Sequence, residues 1–335
     1  EFMPLEHHPP VFVRLAVLSK LLAEESVPVK MNLDSFAITN ADVSFLEAIQ
    51  QNMDDEDAMA QAVMDKMYDN PMEPGYDRVT MDNFTVDASG VSFAMPSLDA
   101  HVERNSKGQP VKFVTEPLTM KLDADADGGE GGAGLAQALS MVGYENIELK
   151  MASISTYEPE TDTVVFKAKD NYFEIVDGAK FSFGGEVAGY SAYASQLGDA
   201  MDFEAMAEGQ EPDPMAFQQA LGALKVSSFE LKIADDSLVD RVFNAVAAQQ
   251  GQDPEAMRKQ VAGMMAMAPM FAQQAGIDTA IASELGAAVA SFIQEPKTLT
   301  ISLDPETPLS AESLTAMEDP SMITKDYLGF SASNK

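Results

Sequence analysis

The chain has 335 residues, of which 54 are acidic and 21 basic, so its formal charge is −33. That surplus repels nucleic acid, whose binding needs a basic surface to release counterions from phosphates. The absence of cysteine removes disulfides, thiol catalysis, zinc–thiolate sites and iron–sulfur clusters, while a 46% hydrophobic share is enough to fold.

Residues 1–26 read as an N-terminal tail and a short helix. Glu1-Phe2 ahead of Met3 has the look of a cloning remnant, and residues 11–24 carry Val13, Leu15, Leu18, Leu21 and Leu22 at helical spacing. Residues 27–200 read as a strand-rich repeat region. Val29, Met31 and Leu33, then Phe36 and Ile38, alternate with polar neighbours apart from one change of phase. A helix is predicted over 58–68, opened by the acidic run Asp54 to Asp57, which suits a helix N-terminus. Strands resume over 76–127, with turns at Ser89-Gly90 and Asn105-Ser106-Lys107-Gly108. A second meander spans 147–190, turning at Glu158-Pro159, Asp170-Asn171 and Asp177-Gly178. Connections this short make neighbouring strands antiparallel.

Residues 201–335 read as a helix-rich region with two added strands, 229–234 and 298–303. Helices are predicted over 214–224, 237–250, 254–274 and 278–294, with Asp213-Pro214 and Asp253-Pro254 as starts. The longest apolar run, 261–272, contains Pro269 and reads as a buried helix. It falls short of the roughly 18 residues that a membrane-spanning helix requires. The expected fold class is α+β: an extended antiparallel meander with internal repeats, covered by the helix-rich C-terminal part.

Two internal repeats support that picture. Leu33-Asp34-Ser35-Phe36 to Val43-Ser44-Phe45 matches Met81-Asp82-Asn83-Phe84 to Val91-Ser92-Phe93. Gln137-Ala138-Leu139 with Glu148-Leu149-Lys150 matches Gln219-Ala220-Leu221 with Glu230-Leu231-Lys232, as one helix-then-strand unit used twice.

Catalytic chemistry is thin. The histidines are His7, His8 and His101; the first two lie in the tail, and His101 reads as a plain exposed polar residue beside Asp99 and Glu103. No G-x-S-x-G elbow occurs, and the chain lacks the Trp that commonly stacks on sugars. A non-enzymatic protein is therefore expected, with a carboxylate-based hydrolase as the enzymatic alternative. No cofactor is expected except calcium, for which Asp123, Asp125 and Asp127 before Gly128 resemble the first half of a calcium loop. The twelfth position is Gly134 rather than a bidentate Glu, so a solvated strand end is the plainer reading. Methionines crowd the later helices, and thioethers make adaptable apolar walls. The candidate wall, chosen by periodicity, is Val242, Phe243, Met264, Met265, Phe271, Ile281, Leu285 and Phe292, all of which could equally be core.

The strand Phe229-Glu230-Leu231-Lys232-Ile233, the helices after it, Lys297-Thr298-Leu299-Thr300-Ile301-Ser302-Leu303-Asp304-Pro305 and the upstream Asp-x-Phe strands together resemble bacterial cell-envelope proteins of the AsmA and YdgA type, over about residues 30–310. The resemblance implies envelope maintenance or lipid handling without catalysis. Lack of cysteine and high acidity suit a periplasmic or secreted protein, and are also compatible with the cytoplasm. The expected partner is an apolar small molecule or lipid, or a protein, held between sheet and helices. The alternative is an elongated acidic structural or surface-interaction protein, binding divalent cations.

Overall fold

The computed structural model describes residues 29–42, 47, 72–200, 220–315, 317 and 322–335. The helices expected at 11–24 and 58–68 lie outside these residues, as does most of the one expected at 214–224. Thirteen strands form one antiparallel sheet: β1 (Val29–Asn32), β2 (Ser35–Thr39), β3 (Arg78–Ala88), β4 (Val91–Arg104), β5 (Pro110–Ala124), β6 (Asn146–Glu158), β7 (Thr163–Phe166), β8 (Tyr172–Ile175), β9 (Ala179–Ala188), β10 (Lys225–Asp235), β11 (Thr298–Leu303), β12 (Leu309–Ser310) and β13 (Phe330–Asn334). The order is β1-β3-β4-β5-β6-β7-β9-β10-β11-β13, with β2 on β3, β8 between β6 and β9, and β12 on β10. The fold is α+β, as the strand-then-helix pattern requires.

The helices are α1 (Glu130–Met141), α2 (Tyr190–Ala200), α3 (Leu238–Gln250), α4 (Pro254–Met265), α5 (Ala268–Gln274), α6 (Thr279–Gln294), α7 (Ala311–Thr315) and α8 (Lys325–Leu328). Asp253 caps α4 by accepting from Ala256 N–H at 2.8 Å, and Asp278 caps α6 by accepting from Ala280 N–H at 2.8 Å. The stretch expected as one helix over 254–274 is instead two helices, because Pro269 supplies no N–H and sits in the first turn of α5. Nor is its apolar run buried, since Met264, Met267, Met270 and Phe271 are exposed.

The change of phase between Leu33 and Phe36 falls at the break between β1 and β2. β1 and β2 both pair with β3, and their junction lies opposite Asn83, a non-glycine residue at φ 53°. The first repeat meets itself there: Asp34 N–H donates to the Asp82 carbonyl at 3.1 Å, and Asn83 Nδ2 donates to Asp34 Oδ2 at 2.9 Å. The later part of that repeat, 43–45, lies outside the described residues. On β5, Glu116-Pro117 form a bulge between Thr115 and Leu118, shifting the pattern from Phe113 and Thr115 to Leu118, Met120 and Leu122. An extra residue at that point keeps apolar side chains on one face.

β6 passes from β8 to β7 around residues 153 and 154. Between the two ladders, Ile154 has no backbone partner in either, and Asn171 fills the gap. Its side chain accepts from Ile154 N–H at 3.1 Å and Ser153 Oγ at 2.8 Å, and donates to the carbonyls of Ile154 and Lys167, each at 2.9 Å. Its own carbonyl accepts from Phe183 N–H of β9 at 3.1 Å. Asn171 is 1% exposed, so every one of these bonds replaces water that is absent.

At the C-terminal end, Ala288 and Phe292 of α6 bury Leu299, with Ile233, Val289, Ile301 and Ala332 around them. Gly286 lets α6 approach closely, since a Cβ there would stand 2.5 Å from the Met265 carbonyl oxygen. Glu284 of α6 reaches the last strand, accepting from Ala332 N–H at 3.0 Å while paired with Lys325.

Replacing Asn171 by Ala leaves the Ile154 amide and carbonyl buried without partners. The expected loss is about 2–3 kcal/mol in chemical denaturation, against less than about 0.5 kcal/mol if water enters the gap.

Candidate functional site

Cross-strand partners share a face, so the register identifies what each side of the sheet presents. One row runs Met31, Val86, Phe93, Leu122, Ile147 across β1, β3, β4, β5 and β6. A second runs Leu118, Met151, Phe173, Phe181, Ile233, Leu299 from β5 to β11. Ile147 and Met151 are an even number of residues apart on β6, so both rows lie on the same side. On the opposite side Thr119, Lys150, Glu174, Lys180, Ala234 and Thr298 make a largely polar row, while Val114, Ala152 and Ile154 form an apolar patch on that same side. There Lys150 lies 3.7 Å from Glu148, and Lys232 lies 2.8 Å from Glu230. These two pairs occupy matching positions in the second repeat, while Leu149 and Leu231 take the apolar side in both copies.

The apolar face is unevenly covered. Under α6 Leu299 is buried at 5% exposure, with Ile233 and Ile301 half-buried, and on β5 Leu118 is buried as well. Along the middle strands Phe84, Phe93, Leu122, Ile147, Leu149, Phe173 and Phe181 are half-buried, and Phe183 is 40% exposed. Three aromatic pairs stand on this face. Phe84 and Phe93 have ring centroids 6.1 Å apart, Phe166 and Phe183 6.1 Å, and Phe173 and Phe181 6.4 Å. Gly185 makes room for one of them, because a Cβ there would come within 3.2 Å of the Phe166 ring.

The residues singled out by periodicity spread over four helices. Val242 of α3, Met264 of α4 and Phe271 of α5 are exposed at 43%, 44% and 57%. Phe243, Met265, Ile281 and Leu285 are half-buried, the Phe243 ring lying 5.3 Å from the Arg258 guanidinium. Phe292 belongs to the core on Leu299. Sequence reading missed the sheet aromatics as site residues. Their signal was the alternation Phe181, Phe183 running into Gly184-Gly185.

Among the described residues, no group of three or more His, Asp or Glu side chains is placed to hold a metal ion. Asp123, Asp125 and Asp127 are all exposed, and Asp125 Oδ1 accepts from Asp127 N–H at 2.9 Å, closing a turn. α1 starts shortly after them, at Glu130 within the glycine-rich segment 128–134. His101 is half-buried rather than fully exposed, with Nδ1 4.0 Å from Asp99 Oδ1.

Other carboxylates hold structure together. Arg104 forks onto Glu73 at 2.6 and 2.7 Å and onto Asp77 at 2.7 Å, tying the segment before β3 to the end of β4. The hydrogen bond from Arg104 lowers the Glu73 pKa, and hydrogen bonds from Asn40 and Arg104 lower that of Asp77. Asp235 goes the other way. Burial raises its pKa, opposed by the bond it accepts from Val239 N–H at 2.9 Å. Among the described residues no helix is long and apolar enough to cross a membrane.

A family model described as an uncharacterized protein matches residues 172–335, from β8 to the C-terminal strand. No curated protein matches the chain.

Replacing Arg104 by Gln should cost about 1–2 kcal/mol at neutral pH through the Glu73 pair. Because the folded pKa of Glu73 lies below its unfolded value, near 4.3, this contribution is complete above that value and fades as pH falls through the lowered one. Denaturation curves of the two proteins should therefore converge on acidification. A gap that persists unchanged at pH 3 would contradict the assignment.

Proposed function

We propose that the chain is a non-enzymatic binding protein that takes an apolar ligand such as a lipid on the apolar side of its sheet, in a periplasmic or secreted setting. The observation that carries this reading is the half-buried aromatic band over the middle strands, left partly open beyond the region packed by α6. Apolar surface of that kind gains roughly 25 cal/mol per Å² when covered, and aromatic faces accept acyl chains without demanding polar geometry. The polar row of the reverse side, with its Lys–Glu pairs, suits water. The same function is what the sequence resemblance to envelope proteins of the AsmA and YdgA type implies.

A second reading, an acidic structural or surface-interaction protein, draws on the length of the sheet and on the polar ladder of its other side. Native mass spectrometry of gently purified protein, followed by solvent extraction, separates the two. The binding reading expects a co-purifying apolar species and saturable uptake of the fluorescent probe N-phenyl-1-naphthylamine. Replacing Phe183 by Asp, at a position open enough to tolerate it, should weaken that uptake about tenfold, since a carboxylate must then be desolvated. Bare polypeptide with no probe uptake would leave the structural reading.

A further inference from the structure

The chain has no cysteine, so its only sulfur atoms are the thioethers of 22 methionines. Three of these share one edge where α4 runs into α5. Met267 N–H donates to the Met264 carbonyl and Met270 N–H to the Met267 carbonyl, both at 3.0 Å, and residues three apart in such turns stack above one another. Met264, Met267 and Met270 are exposed at 44%, 44% and 51%, whereas Met72 and Met257 are buried, each at 8%. Other atoms pack the helices here. Ala262 and Ala272 are buried. A Cβ on Gly286 of α6 would stand 2.5 Å from the Met265 carbonyl oxygen and 3.2 Å from Ala268 Cβ, so contact with α6 runs through backbone and alanine. The three stacked thioethers carry little of that packing.

We propose that this edge is a site of reversible oxidation, at which the three thioethers take oxygen from hydrogen peroxide while the fold stays intact. In each step a sulfur lone pair attacks one peroxide oxygen, the S–O bond forms and the O–O bond breaks. Sulfur gives up two electrons and becomes a sulfoxide, and the second oxygen leaves with both peroxide protons as water. Exposure lets solvent stabilise the charge that develops on the departing oxygen, which a buried sulfur lacks. Charge selects the oxidant: neutral peroxide approaches a chain of net charge −33 freely, whereas an anionic oxidant is repelled. Sulfoxidation damages a core because it puts a polar group there. At this edge the new S–O dipole projects into water, and the packed alanines stay as they were. Met141 and Met322, each 58% exposed, also meet solvent. The stack differs from them in that it lies within residues 260–277, which hold no Asp, Glu, Lys or Arg, so its oxidation turns an uncharged stretch polar.

Peptide mass mapping of the folded chain during exposure to hydrogen peroxide tests the proposal. Met264, Met267 and Met270 should gain oxygen at least about tenfold faster than Met72 and Met257, and in urea the five rates should converge. Methionine sulfoxide reductases, one for each sulfoxide epimer, should then remove the added oxygen from the edge. Replacing Met264, Met267 and Met270 together by Gln, which imitates the polarity of three sulfoxides, should leave the melting temperature within about 2 °C of wild type, while Met257→Gln alone lowers it by more than about 5 °C. Phe183→Asp should be oxidised at the wild-type rate, so failure of ligand uptake by the sheet and failure of this site are read separately. Edge methionines that react no faster than Met257, sulfoxides that the reductases leave in place, or a triple variant that melts early or does not fold would each overturn the proposal.

Discussion

The sheet depends on the hydrogen bonds of one buried amide. β6 is the strand through which the first part of the sheet reaches the second, and at Ile154 it has left β8 without yet joining β7. An unpaired peptide group at that depth would cost as much as a core substitution. The side chain of Asn171 supplies both the acceptor and the donor that a missing strand residue would have provided, and its main chain ties the same point to β9. The short strands β7 and β8 can therefore sit end to end beside β6 and β9, and the apolar rows continue without a step.

Much of the architecture was legible because the hydrophobic period is strict. Alternation in β3, β4, β6, β9 and β10 marked strands, and Asp253-Pro254 marked the start of α4. The phase change near residue 34 was visible in the sequence; its cause was not, because it lies in the partner residues Asp82 and Asn83, 48 and 49 positions away. Asp170-Asn171 looked like an ordinary turn for the same reason: local composition does not tell whether an Asn faces water or plugs a ladder. The start of α1 was hidden by Gly128 to Gly134, whose propensity argues against a helix that tertiary contacts nevertheless support. β13 was missed because Ser331-Ala332-Ser333 carries little hydrophobic signal for an edge strand.

The candidate site was harder to read than the fold. Periodicity in the helices identifies apolar positions but not which way they face, and residues 260–277 break the rule that larger means deeper. Ala262 and Ala272 pack inside while Met264 and Phe271 stay outside, and the close approach of Gly286 to Met265 and Ala268 leaves little room for bulk there. The sheet aromatics carry the opposite lesson. Their strands were recognised, yet only the register shows that Phe173, Phe181 and Ile233 stand in one line.

The carboxylate of Glu284 bears on how the molecule coexists with copies of itself. A flat array of strands ends in a backbone rim that another polypeptide could extend, and aggregates grow by such templating. Here the outward amide of Ala332 is already occupied by a helix side chain that Lys325 holds in place. A newcomer would have to displace an ion pair before bonding at this amide, which disfavours extension of the sheet at that point.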